Sequence, residues 1–206
     1  MTYREFNLIK ERLTDWRNER HLTYENQQAG FLGNVFEEIS EYFRAKDDLE
    51  RVDALCDIAV FCFNAFDVEH HLYYCSDIDK EISKIENIIN NMSWFIFRAR
   101  NNINLNITIG EIICYCRFLC ENFEFDFYKC MIETIKEIES RTGKYDNKLK
   151  KFVKDKGAYT KKEAQKKYLG FCFKQNKDYY YLITITGFKK IKKWYKADYE
   201  SCRIKD

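Results

Sequence analysis

Not one proline occurs in the 206 residues, and glycine is held to 7. Proline's fixed φ and missing N–H break a helix interior, and glycine weakens one. At an average usage of roughly 5% Pro, about ten prolines are missing. A chain without them is free to form long helices, and collagen-like or proline-rich linker architectures are excluded. The scarcity also accompanies an abundance of Lys, Asn, Ile, Tyr and Phe, as an AT-rich coding sequence produces. Local pattern has to separate the two causes.

That pattern favours helices over residues 1–143. Thr2-x-x-Glu5 has capping-box spacing. Phe6, Ile9, Leu13 and Trp16 recur every three or four residues, so a first helix is expected to about Asn18. Residues 21–25 read as a loop. A second helix is expected over about 26–45, and a third over about 49–66 behind an Asp47 or Asp48 cap. A fourth is expected over about 77–99. Thr108 is the expected cap of a fifth, running through Leu119. Asp126 is the expected cap of a sixth, ending near Ser140 with Gly143 as stop signal. Residues 144–156 are Lys-rich and weakly patterned, a linker with a short helix.

The end differs in kind. Residues 168–174 and 179–186 are aromatic and β-branched runs separated by Gln175-Asn176-Lys177-Asp178, a β-hairpin signal. Residues 189–195 alternate basic with apolar. The expected fold is therefore mostly α: an antiparallel helical bundle over 1–143, then a basic linker and a small β-hairpin appendage over 144–206.

Hydrophobic residues at 46% and aromatics at 17% supply a core and exclude general disorder. The net charge of +2 names no partner, but its distribution is uneven. Residues 156–206 hold 14 Lys/Arg against 5 Asp/Glu, and residues 1–155 hold 21 against 28. The start has no signal-peptide pattern. No apolar run approaches the ~18 residues of a membrane span. A cytoplasmic location is the expectation, with the nine cysteines as reduced thiols. Cys114-x-Cys116-x-x-x-Cys120 lies in an apolar stretch and reads as core. Cys62, His70, His71 and Cys75 lack the paired spacing of a zinc site.

Chemistry gathers in two acidic segments. Glu38 and Glu41 share a helix face at i, i+3. At 100° per residue, Glu50, Asp53 and Asp57 fall within about 60° of one another. The joint between the two helices is only Lys46-Asp47-Asp48, so antiparallel packing lets the acidic faces meet. Carboxylates facing one another in an apolar bundle repel and resist desolvation. A divalent cation removes the conflict, and oxygen-only ligands suit Mg²⁺ or Mn²⁺. Mg²⁺ held by few carboxylates takes further ligands from substrate phosphates. The plainer reading is a solvated face with Arg44, Lys46 and Arg51 as partners.

Asp15-Trp16-Arg17, Gly33-Asn34-Val35-Phe36-Glu37-Glu38-Ile39-Ser40-Glu41 and Val52-Asp53-Ala54-Leu55-Cys56-Asp57-Ile58-Ala59-Val60-Phe61 resemble the all-α nucleoside triphosphate pyrophosphohydrolase superfamily. It includes MazG-like proteins, dimeric dUTPases and phosphoribosyl-ATP pyrophosphohydrolases. Its hallmark is ExxE, a gap, then ExxD. Glu38-x-x-Glu41 matches the first half. In the second half, Asp57 as final Asp leaves Ala54 at the Glu position with Asp53 one residue earlier, whereas Glu50-x-x-Asp53 keeps the spacing. The resemblance covers about residues 8–67. The segments 133–144 and 194–199 are similar to phage-encoded MazG-like proteins.

The resemblance implies hydrolysis of a nucleoside triphosphate, a deoxynucleotide first among them, between the α and β phosphates. It implies Mg²⁺ on Glu38, Glu41, Asp53 and Asp57, with Glu50 in reserve, Glu41 or Glu37 as base, and a homodimer. Lys136, Arg141 and Lys144 are candidate phosphate contacts, or cations complementing a helix end. Asn34 and Trp16 are candidate substrate contacts, or a surface residue and a core anchor. The lysines after residue 160 interleave with Tyr168, Phe171, Tyr179, Tyr181, Phe188 and Trp194, which also suits single-stranded nucleic acid. Without a nucleic-acid motif, docking on the acidic body by charge accounts for them more simply.

Overall fold

Side chains start the first three helices. In α1 (Tyr3–Glu19) Thr2 accepts from the Glu5 N–H, and the Glu5 carboxylate accepts from the Thr2 N–H. Of the segment 21–25, expected as loop, residues 21–23 are non-helical, while Tyr24 and Glu25 already belong to α2 (Tyr24–Arg44), because Thr23 and Asn26 cap each other in the same reciprocal way. Asp47 accepts from the Glu50 N–H at 2.9 Å and starts α3 (Asp48–Ala65). The computed structural model describes residues 1–70, 85–101, 103–149 and 151–205.

Two tethers fix how α2 and α3 run. The joint at 45–47 ties the end of α2 to the start of α3. At the other end, Gln28 donates to the Ala65 carbonyl at 2.8 Å and the Phe31 ring meets Phe66 edge-on. The two helices are therefore antiparallel. α3 also packs against α1 and α5, which explains its nearly unbroken buried run from Ala54 to Ile58 apart from Asp57. Phe6 of α1 meets Phe63, and Arg17, buried on the same helix, donates to Asn64.

α4 is described over Ile85–Arg100, and the expected residues 77–84 lie outside the described part. It packs on α5 (Asn106–Asn122). Thr108 does not cap α5 as expected. It is buried inside the helix, where its hydroxyl accepts from Arg98. α6 spans Phe127–Ser140, and Asp126 accepts from the Lys129 N–H at its start. A 3₁₀ turn, Tyr199–Cys202, closes the helical part. Asp126 donates to the Cys202 carbonyl and Ile204 to that of Glu124, pinning this turn at the α5–α6 corner. Among the described residues, no helix is long and apolar enough to cross a membrane. The described cysteines are free thiols.

The chain forms two compact units, residues 1–134 with 198–206, and residues 135–197. The expected boundary at 143/144 misses this, because Tyr199 and Cys202 bury with the helices. The second unit replaces the expected linker with strands. β1 (Gly143–Asp146) pairs antiparallel with β2 (Lys151–Lys154) across a turn in which Asp146 accepts from the N–H groups of Lys148 and Leu149. Gly143 is thus a strand residue rather than a helix stop. β3 (Gly157–Ala158), α7 (Lys161–Lys167), β4 (Gly170–Gln175), β5 (Tyr179–Thr184) and β6 (Gly187–Lys193) follow. The sheet order is β3-β6-β5-β4, with β3 parallel to β6 and the other pairs antiparallel. The expected two-stranded hairpin is thus part of a larger sheet. Its tight β5–β6 turn needs Gly187 at φ 105°. Ala158, Ala164, Cys172, Tyr180, Leu182 and Ile191 form its core.

Candidate functional site

The α2–α3 pair gathers carboxylates around Glu38. Glu38 is half-buried on α2, and its carboxyl is pushed up to about 8 by burial first, then by the negative charges of Asp57, Glu41, Asp53 and Glu37. Two of those acids stand on α3 and two on α2. Glu37 and Glu41 are exposed, while Asp53 and Asp57 are half-buried. Ala54, on the same helix as Asp53 and Asp57, is buried at 2% exposure.

Asp53 has a partner from far along the chain. The buried Tyr199 hydroxyl donates to its Oδ1 at 2.7 Å and lies 2.9 Å from the Thr134 hydroxyl. Burial, then the neighbouring Cys56, Asp53 and Asp57, keep the Tyr199 phenol far above its usual pKa, so it stays a donor. Tyr199 is a site residue that helical spacing gives no means of finding. Its one signal is its place at the end of the 194–199 segment.

Two of the three expected cationic partners make local contacts. Arg51 pairs with Asp48 at 2.6 Å, and Arg44 donates to the Ser40 carbonyl. The Glu50 carboxylate accepts from the Lys46 N–H at 2.8 Å, so the expected reserve ligand stabilises the start of α3. Trp16 is half-buried and lies under the Arg20 guanidinium, 4.4 Å from the ring centre. Asn34 is exposed one turn before Glu38.

The three candidate phosphate contacts belong to the second unit. Arg141 donates to Glu137 at 2.6 Å and to the Tyr159 hydroxyl. Glu137 also accepts from Tyr159 at 2.7 Å and from the Ala197 N–H at 2.8 Å. Burial pushes the Glu137 carboxyl up, but those hydrogen bonds, Lys196 and Arg141 hold it below the usual range. Arg141 is thus half-buried and paired with the buried Glu137. Lys136 and Lys144 are exposed on α6 and β1.

Among the described residues, no three His, Cys, Asp or Glu side chains are grouped closely enough to hold a metal ion as they stand. Of the zinc candidates, Cys62 is buried in α3, His70 packs on Tyr3 and Phe6, and His71 and Cys75 lie outside the described residues. The Glu38 cluster is oxygen-only and carries a charge conflict, which is the donor chemistry of a hard divalent cation. Compared with protein-family models, curated proteins and solved structures, the chain matches none.

Proposed function

We propose that this chain is a Mg²⁺-dependent nucleoside triphosphate pyrophosphohydrolase built on an antiparallel helical bundle. The observation that carries this reading is the convergence of Asp57, Glu41, Asp53 and Glu37 on a half-buried Glu38. Glu38, Glu41 and Asp57 would hold the ion, with Asp53 oriented by Tyr199. When bound, the ion neutralises charge on the phosphate oxygens.

Glu37, exposed and outside that ligand set, orients the attacking water and takes its proton. Water attacks the α phosphorus, the α–β bridging bond breaks, and pyrophosphate leaves with the bridging oxygen. The favoured substrate is a deoxynucleotide. The working form is a homodimer, supported by Phe36 and Phe43, 42% and 59% exposed and seven residues apart on the helix that carries Glu38.

The experiment resolves the products formed from each common triphosphate with Mg²⁺ by anion-exchange chromatography. Monophosphate with pyrophosphate supports the proposal. Diphosphate with orthophosphate, or no product from any nucleotide, contradicts it.

A further inference from the structure

The second unit carries a surface of its own. One face of the sheet β3-β6-β5-β4 packs Cys172, Tyr180, Leu182 and Ile191 into the core of the second unit. Strand register dictates what stands on the other face. Phe171 is opposite Ile183, and Ile183 is opposite Phe188, giving an apolar row across three strands. Lys174, Tyr181 and Lys190 form the next row, and Tyr179 with Lys192 the third. Such rows lie about 7 Å apart. The bulge between Cys172 and Lys174 turns Phe173 onto the same face, its ring 5.8 Å from that of Phe188. Phe171, Phe173 and Phe188 are 66%, 49% and 79% exposed. A contiguous apolar patch of this kind marks a binding surface.

The surrounding charge says what it binds. Residues 135–197 hold 19 Lys/Arg against 6 Asp/Glu. The Lys190 ammonium is 3.7 Å from the centre of the Tyr179 ring, and that of Lys192 is 5.0 Å away. With Lys156 and Asp155, these three residues line a cleft of about 340 Å³. Aromatic planes flanked by lysines match bases joined by phosphates. Stacking of this kind tolerates any base sequence.

We propose that this sheet face binds single-stranded nucleic acid. Bases stack on Phe171, Phe173, Tyr181 and Phe188, and the backbone follows Lys156, Lys174, Lys190 and Lys192. A duplex keeps its bases stacked on one another and has none to offer the rings. A lipid surface would use the rings but not the concave lysine cleft.

Fluorescence anisotropy of the full chain with labelled oligo(dT) and oligo(U), each about 20 nucleotides, tests this and separates DNA from RNA. Binding to either strand is expected, clearly tighter than to a duplex of equal length. Neutralising four phosphates gives a log–log salt slope of about −3. Phe188→Ala is expected to weaken binding about tenfold. Lys190→Glu with Lys192→Glu must cost far more than Lys161→Glu with Lys162→Glu, which changes the charge equally on α7. Glu38→Ala leaves binding intact, so this proposal and the hydrolase reading fail separately. Ultraviolet crosslinking of the unmodified protein is expected to mark peptides of β4, β5 and β6. The proposal is overturned by equal binding to duplex, equal losses in the two double variants, or crosslinks elsewhere. It is also overturned if neither oligonucleotide binds, including the case where phosphatidylserine vesicles bind instead.

Discussion

Glu38 carries a conflict that pH and metal resolve in opposite ways. Its carboxyl ionises at about 8 in the folded chain against an ordinary 4.5. The folded state therefore binds the proton more tightly. The stabilising contribution is full below the ordinary value and is lost as pH rises through about 8. In metal-free buffer the denaturation midpoint is expected to fall over that window, and Glu38→Gln should flatten the decline. Mg²⁺ must displace the proton, so the rise in Tm that it gives is expected to grow with pH. A rise that is independent of pH would remove Glu38 from the ligand set. Tyr199 makes the second residue-scale test. Tyr199→Phe removes the phenol donor to Asp53 and one of the contacts of the Thr134 hydroxyl, which keeps its bond to the Cys130 carbonyl, at an expected cost of about 1–3 kcal/mol in urea unfolding. Glu38 was legible from its i, i+3 partner. The Tyr199–Asp53 bond spans 146 residues, and helical periodicity carries no information at that range.

Among the elements, those that start with a side-chain cap were the most legible. Thr2 and Asp47 stand where their helices begin. The start of α2 was missed because Asn26, rather than Glu or Gln, completes its capping box. Thr108 misled because a threonine before an apolar run looks the same whether it caps a helix or accepts an arginine inside one. β1 and β2 hid in a lysine-rich stretch because their pairing is set by the Asp146 turn more than by apolar alternation. β6 hid because its outer residues are lysines. For α2, the exposed Phe36 and Phe43 carry a prediction of their own. Phe43→Asp is expected to shift the molar mass in light scattering from dimer to monomer with the helical circular dichroism unchanged. An unchanged dimer would place the interface elsewhere.

At the scale of the whole molecule, the contacts divide the chain into two compact units, one helical and one a small sheet with a helix on it. The sequence carried this contrast in its charge, but its boundary was legible only roughly. The closing residues 198–206 return to the helical unit through Tyr199 and Cys202. The missing prolines agree with the long helices of the first unit and say nothing of the second, which also lacks them and builds strands. Hydrogen exchange gives the units separate tests. Mg²⁺ with a non-hydrolysable triphosphate is expected to protect α2 and α3 and to leave β4, β5 and β6 unchanged. Protection of the sheet alone would move the nucleotide site out of the helical unit. The most direct measurement is the rate of pyrophosphate release, with Mg²⁺, from the best of the common triphosphates by the full chain and by Glu38→Gln. The expected result is turnover by the first and a loss of about a hundredfold in the second, the scale of several kcal/mol of charge stabilisation. Equal rates in the two, or no release by either, would contradict the assignment.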